Sequence, residues 1–141
     1  MFTQKNEMLV GDVMLCPDRF PVIRERALLK DALDEMSLHR IGIACIVDEA
    51  HRLQGVLTDG DLRRMLLRVQ KPFSAFFADD ALEHAITSPL NVAPEDTLLS
   101  AVRLMDQKRV WDLPVVDGDG KLLGLLHLHP AVEALLNNVT K

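Results

Sequence analysis

A chain of 141 residues, 48% of them hydrophobic and 26% charged, has material for one compact core, and no window approaches the roughly 18 apolar residues that a membrane span requires. Sixteen lysines and arginines against 21 aspartates and glutamates leave a net charge of −5, which argues against a nucleic-acid binder. Through Lys71 there are 11 basic and 11 acidic residues, and after it 5 and 10, so the first half is the better host for an anion. Along the chain, residues 9–14 read as a short helical turn. Residues 20–23 read as a brief extended segment that Pro21 confines to an edge or a strand start. Leu29, Ala32, Leu33 and Met36 have the i, i+3, i+4, i+7 spacing of a helix face, and after Gly42 the apolar run 43–47 predicts a strand. Residues 48–52 turn the chain, 53–57 return as a second strand, and Leu62, Met65, Leu66 and Val69 mark a second helix.

Residues 70–80 have no clean period and read as a linker. They hold three of the five phenylalanines, which predicts that the segment packs against something. The pattern then recurs. Residues 86–92 repeat the lead and the first extended segment, and Leu98, Ala101, Val102 and Met105 repeat the first helix. Residues 113–117 repeat the first strand, Asp117-Gly118-Asp119-Gly120 is a tight hairpin turn, and 122–126 repeat the second strand. Ala131, Leu135 and Leu136 fall on a last helix. Ile23 and Val92, Ala32 and Ala101, Met36 and Met105, Asp48 and Asp117, and Gly55 and Gly124 all differ by 69. The one shift is early, where Met14 to Ile23 spans nine positions and Ile86 to Val92 spans six. The chain is an internal duplication: repeat 1 over 8–69, a linker over 70–81 and repeat 2 over 82–137. Each repeat has too few strands to bury two sheet faces alone. The expected fold is mixed α/β (α+β), two repeats packed through their small sheets with pseudo-two-fold symmetry and with ligand clefts between them.

The most informative stretch is Gly55-Val56-Leu57-Thr58-Asp59-Gly60-Asp61-Leu62-Arg63-Arg64. A strand running straight into a helix leaves the first helical N–H groups unpaired at the positive end of the helix dipole, where an anion is favoured. Thr58 and Asp61 bring a hydroxyl and a carboxylate to that elbow, and Arg63 and Arg64 follow in the first turn. The hydroxyl and N–H groups can donate to a phosphate, and the carboxylate can accept from sugar hydroxyls. The same residues also read as a helix cap, with Gly60 a turn residue.

Both halves resemble cystathionine-β-synthase (CBS) repeats, and the pair resembles a Bateman module, over residues 10–136. The second strand of such repeats ends in Gly, two apolar residues, Ser or Thr, two variable residues, Asp and an apolar residue, and residues 55–62 fit at every required position. The resemblance implies that Thr58 and Asp61 hold the phosphate and ribose of a nucleotide, often an adenosine one, with Asp59, Gly60 and Arg63 alongside. By position it adds Ile23 of the first extended segment and Ile43 and Ala44 of the following strand. The longer run 57–64 resembles the CBS tail of bacterial arabinose-5-phosphate isomerases of the Kdo sugar pathway, where a separate N-terminal sugar-isomerase domain carries the catalysis. That implies a free-standing regulatory module or the tail of a longer protein, with AMP, ATP or a CMP-sugar as ligand and none as a catalytic cofactor. It also implies a homodimer, a possible sugar-phosphate enzyme partner, and no nucleic-acid or membrane partner. In repeat 2 the register sets His127 against Thr58 and Pro130 against Asp61, so one nucleotide site beside a degenerate cleft is expected. Pro130 reads there as a sound first helical residue.

The remaining candidates are weaker. His127 and His129 alternate on a strand end as two metal ligands would, but with no third ligand placed they read as cleft or surface histidines and no metal site is assigned. Asp117 to Gly120 opens like a calcium loop, but Leu122 and Leu128 stand where such a loop needs its glycine and glutamate. Trp111 reads as core or rim packing, with base stacking or a dimer contact as alternatives. Cys45 reads as a small buried residue, and neither cysteine belongs to a disulfide framework. The first residues lack the apolar region of a signal peptide, so a cytoplasmic protein is expected. There is no phosphate-binding loop, nucleophile elbow or paired Cys/His motif. A ligand-sensing regulatory module is therefore the first reading, a ligand-free dimerising scaffold the second, and an enzyme in its own right the last.

Overall fold

The computed structural model describes residues 7–139, which divide into two compact units. The first unit to be completed along the chain spans Pro17–Pro89. It begins with a 3-10 turn at Pro17–Arg19 and continues through β1 (Val22–Arg24), α2 (Leu29–His39), β2 (Ile43–Val47), β3 (Leu53–Thr58) and α3 (Asp59–Arg68). A short α4 (Phe73–Phe77) and a 3-10 turn (Ala81–His84) close it. α1 (Val10–Val13) precedes all of these and belongs to the other unit.

The sheet order is β1-β2-β3. β1 runs parallel to β2, with Ile23 opposite Ile46, and β2 runs antiparallel to β3, with Ile43 opposite Thr58. α2 forms where the apolar spacing predicts it, and buries Leu29, Ala32 and Met36. These meet Ala44 and Ile46 of β2, Leu57 of β3, and Leu62 and Met65 of α3 in one core. At its N-terminus the Leu28 N–H donates to Asp31 Oδ2 at 3.0 Å. It ends at Arg40, whose φ of 56° is the left-handed conformation of a helix stop.

The aperiodic stretch 70–80 contains α4, too short for periodicity to show. It packs, as its phenylalanines predict. Phe76 is 2% exposed in the same core, while Phe73 is 65% exposed. Lys71 Nζ lies 5.1 Å from the Phe76 ring centre and 2.7 Å from Asp79 Oδ2, and His84 Nε2 lies 2.8 Å from that same oxygen. The hydrogen bond from Lys71, followed by that from His84, holds the Asp79 carboxyl below the usual carboxylate range.

The second unit combines residues 7–16 with residues 90–139. It holds α1, α5 (Leu98–Lys108), β4 (Asp112–Val116), β5 (Leu122–His127) and α6 (Leu128–Val139), with β4 and β5 antiparallel. Leu98, Ala101 and Met105 of α5 pack with Val10, Leu113 and Leu126 in its core.

The duplication reaches the turns. Asp48 Oδ1 accepts from the N–H groups of Ala50 and Arg52 at 2.9 Å, and Asp117 Oδ1 accepts from those of Asp119 and Lys121 at the same distance. The left-handed residues His51 and Gly120 follow one another in the register of 69, as do Arg40 and Arg109. The leads keep a different register. Leu15 exchanges backbone hydrogen bonds with Leu125, and Ile86 does so with Val56. Leu15, not Met14, is therefore the counterpart of Ile86. The α1 residues Val10–Val13 correspond to Ala81–His84 at a spacing of 71. Each lead thus folds onto the body of the other repeat: residues 7–16 edge the β4–β5 sheet, and residues 79–86 edge the β1–β3 sheet.

If α4 belongs to the core, Phe76→Ala will lower unfolding stability by about 3–5 kcal/mol, whereas Phe73→Ala will stay within about 0.5 kcal/mol. Urea denaturation of the two variants measures both. Equal, small effects would show α4 to be a surface attachment.

Candidate functional site

The β3–α3 elbow is built by the last residue of the strand acting as the helix cap. Thr58 has extended backbone (φ −115°, ψ 162°) and its Oγ1 accepts from the Asp61 N–H at 3.2 Å. The Thr58 N–H donates in return to Asp61 Oδ2 at 3.2 Å, and the Thr58 hydroxyl donates to the same oxygen at 2.8 Å. This is a reciprocal capping box with an added side-chain hydrogen bond. Asp61 Oδ1 accepts from Arg64 Nη2 at 2.8 Å, its side chain being 13% exposed and that of Arg64 59%. Hydroxyl and carboxylate therefore stand together at the mouth of the helix, joined as its cap.

Two glycines are set by this geometry. A Cβ on Gly42 would lie 2.5 Å from Asp59 Oδ2, and the Asp59 N–H donates to the Gly42 carbonyl at 3.1 Å. A Cβ on Gly60 would lie 3.3 Å from both terminal nitrogens of Arg64, so the guanidinium lies over the first turn of α3. Asp61, Arg64 and Arg68 also line an open groove of about 520 Å³ with Glu83, His84 and Ile86.

Of the other residues singled out in the sequence, Ile43 is buried beside the elbow as the cross-strand partner of Thr58. Ala44 and Ile23 lie in the helix-side core. Ile23 pairs with Ile46, three residues along β2 from Ile43, so the structure does not bring it to Thr58. Arg63 is exposed, and the ion pair to Asp61 is made by Arg64. The signal that separates the two arginines is their spacing, since Arg64 stands three residues after Asp61 on one helix face and Arg63 only two.

In the second unit the same junction has other chemistry. His127 ends β5, and its Nδ1 lies 2.6 Å from Oδ1 of Asp112, which faces it across the strand pair where Ile43 faces Thr58. The Leu128 N–H donates to the Trp111 carbonyl at 2.9 Å, as Asp59 does to Gly42. Pro130 is the third helical residue and not the first, since α6 begins at Leu128. Its missing N–H is the one that Asp61 gives to Thr58, so donor and acceptor of the cap are lost together. His129 lies in the helix and not on a strand, and is exposed. Trp111 is 70% exposed on the rim of a groove with Arg103, Asp106 and Arg109, and is not a core residue. Among the described residues Asp79, Glu83 and His84 are spaced to hold a cation. The Asp79 oxygen there already accepts from Lys71 and His84.

Fold and elbow define a duplicated pair module of small sheets and helices, with the Thr–Asp elbow kept in one repeat. The chain belongs to the CBS-domain family, whose family model matches residues 10–68 and 80–135. It is 34% identical over 125 residues to the arabinose 5-phosphate isomerase KdsD of Yersinia pestis, and 32% identical over 127 residues to that of Escherichia coli K12. Each match covers 89% of this chain and 37% of the relative, so the chain spans little more than a third of the length of these curated relatives. Among solved structures it is similar to CBSX2 in complex with AMP, at 30% identity and a TM-score of 0.81, covering 95% of this chain and 99% of that one. CBSX2 from Arabidopsis thaliana matches at 28% identity and a TM-score of 0.80, covering 96% and 99%.

Because the Thr58 hydroxyl both caps α3 and holds Asp61, Thr58→Ala will destabilise the fold by about 1 kcal/mol, and Thr58→Ser by a few tenths at most. Urea melts of both variants distinguish lost capping from lost methyl packing, which would give equal losses.

Proposed function

We propose that this chain is a regulatory module that binds an adenine nucleotide or a nucleotide-activated sugar at the β3–α3 elbow of the first repeat. The observation that carries the reading is the juxtaposition of the Thr58 hydroxyl and the Asp61 carboxylate at the N-terminus of α3. A phosphate gains there from the positive end of the α3 dipole, and a ribose from the carboxylate as a hydrogen-bond acceptor. The likeness to an AMP-bound CBS pair at 30% identity supports a nucleotide. The likeness to arabinose 5-phosphate isomerases supports a partner enzyme or domain acting on a sugar phosphate, and leaves a CMP-sugar as the second ligand class. Thr58 and Asp61 are the central contacts, with Asp59, Gly60 and Ile43 around them.

In this reading the module acts by differential binding. A ligand shifts a regulatory equilibrium only as far as it prefers one state over the other. A homodimer completes the reading. A second reading, a ligand-free dimerising scaffold, is favoured by one observation: repeat 2 has replaced both elbow residues.

Thermal unfolding with AMP, ADP, ATP, S-adenosylmethionine, CMP and CMP-sugars separates the two. A ligand of the folded state stabilises by about 2.7 kcal/mol at a hundredfold excess over its dissociation constant. The expected result is a raised midpoint with one class of nucleotide, abolished in Asp61→Ala. No shift with any compound up to millimolar concentration would leave the scaffold.

A further inference from the structure

Asp61 has almost spent its capacity to accept hydrogen bonds. Oδ2 takes the Thr58 N–H and the Thr58 hydroxyl, and Oδ1 takes Arg64 Nη2. An ionised carboxylate offers about four lone-pair sites, two on each oxygen, so one site on Oδ1 remains. A ribose presents two neighbouring hydroxyls, and a carboxylate that grips both needs two sites. The second must come from a bond already made. Giving up either Thr58 bond loosens the cap of α3. Giving up Arg64 leaves the cap intact and breaks an ion pair whose basic partner is 59% exposed.

The released guanidinium stays at the site. It lies over Gly60 in the first turn of α3, where the helix presents its positive end, and it lines a groove with Arg68 and His84. Asp61 is the anion that compensates it there. Once Asp61 turns to a sugar, a phosphate is the matching replacement, since a guanidinium pairs with two phosphate oxygens at once.

We propose that Arg64 sets the requirement for a phosphorylated ligand at this site, pairing with Asp61 when the site is empty and exchanging to the ligand's phosphate when a ribose takes Asp61. The inference rests on the nucleotide-binding reading above. A nucleoside must break the Arg64–Asp61 pair with nothing given back, whereas a nucleotide trades one ion pair for another. Arg63, about 100° away around the helix, does not share this role.

Calorimetric titration of the whole chain with AMP and adenosine, and with CMP and cytidine, tests it in wild type, Arg64→Gln, Arg64→Lys and Arg63→Gln. In wild type the nucleotide will bind more tightly than its nucleoside by tenfold or more, roughly the scale of one charge-assisted hydrogen bond. Arg64→Gln will weaken the nucleotide while leaving the nucleoside equal or tighter, so that the ratio falls towards about one. Arg64→Lys will restore part of the ratio, and Arg63→Gln will keep the wild-type value. Equal weakening of nucleotide and nucleoside in Arg64→Gln, or an unchanged ratio, would overturn the role of Arg64 alone. Binding of neither pair by wild type would overturn the nucleotide-binding reading with it.

Discussion

Neither small sheet is finished by its own repeat. The β3 edge is closed by Ile86, which exchanges backbone hydrogen bonds with Val56, and the β5 edge by Leu15, which does the same with Leu125. Each closing residue comes from the lead that precedes the other repeat in the chain. An open edge is a row of unpaired N–H and C=O groups and a hazard for stray pairing, so the exchange meets a need that each repeat has alone. It brings further contacts with it: Val10 donates to the Asp96 carbonyl and Ala81 to that of Ala27, tying each lead to the segment before the first helix of its host. The duplicated sequence thus encodes two bodies whose completion depends on exchanging their first ten or so residues.

On this shared frame the two strand–helix junctions have diverged by few residues. Thr58 and Asp61 form one chemical unit through four hydrogen-bonding groups, and that unit starts α3 with a carboxylate and a hydroxyl side by side at its N-terminus. In the second repeat a histidine–aspartate contact between His127 and Asp112 joins the strand ends. Pro130 removes the N–H that a threonine cap would have used. Capping chemistry was exchanged for cross-strand chemistry while the backbone path was kept. The fold therefore tolerates loss of the elbow residues, so the elbow kept in repeat 1 is not demanded by the fold alone.

Much of this was legible in the sequence because the governing signals are local or repeated. The apolar spacing of residues 29–36 and 98–105 placed α2 and α5, and the register of 69 carried through to the turn aspartates and the left-handed residues at 40 and 109. The destination of the leads was not legible. Leu15 and Ile86 are single apolar residues whose partners are set by tertiary pairing, and the spacing of 71 at the leads was hidden by an early shift of alignment. α4 escaped because five residues give periodicity too little length, although its phenylalanines marked it as packed. At the site, Thr58 and Asp61 followed from the strand–helix elbow. The choice of Arg64 over Arg63 was readable from the three-residue spacing to Asp61 on a helix, whereas the exposure of Trp111, on the rim of a groove with Arg103 and Arg109, carried no sequence signal.

The central claim is that one repeat holds the ligand and the other does not. The stoichiometry of calorimetric titration, with whichever nucleotide binds most tightly, tests it most directly in wild type and Asp61→Asn. The account predicts one nucleotide per chain in wild type and none in the variant. Two nucleotides per chain, or one that survives Asp61→Asn, would contradict it.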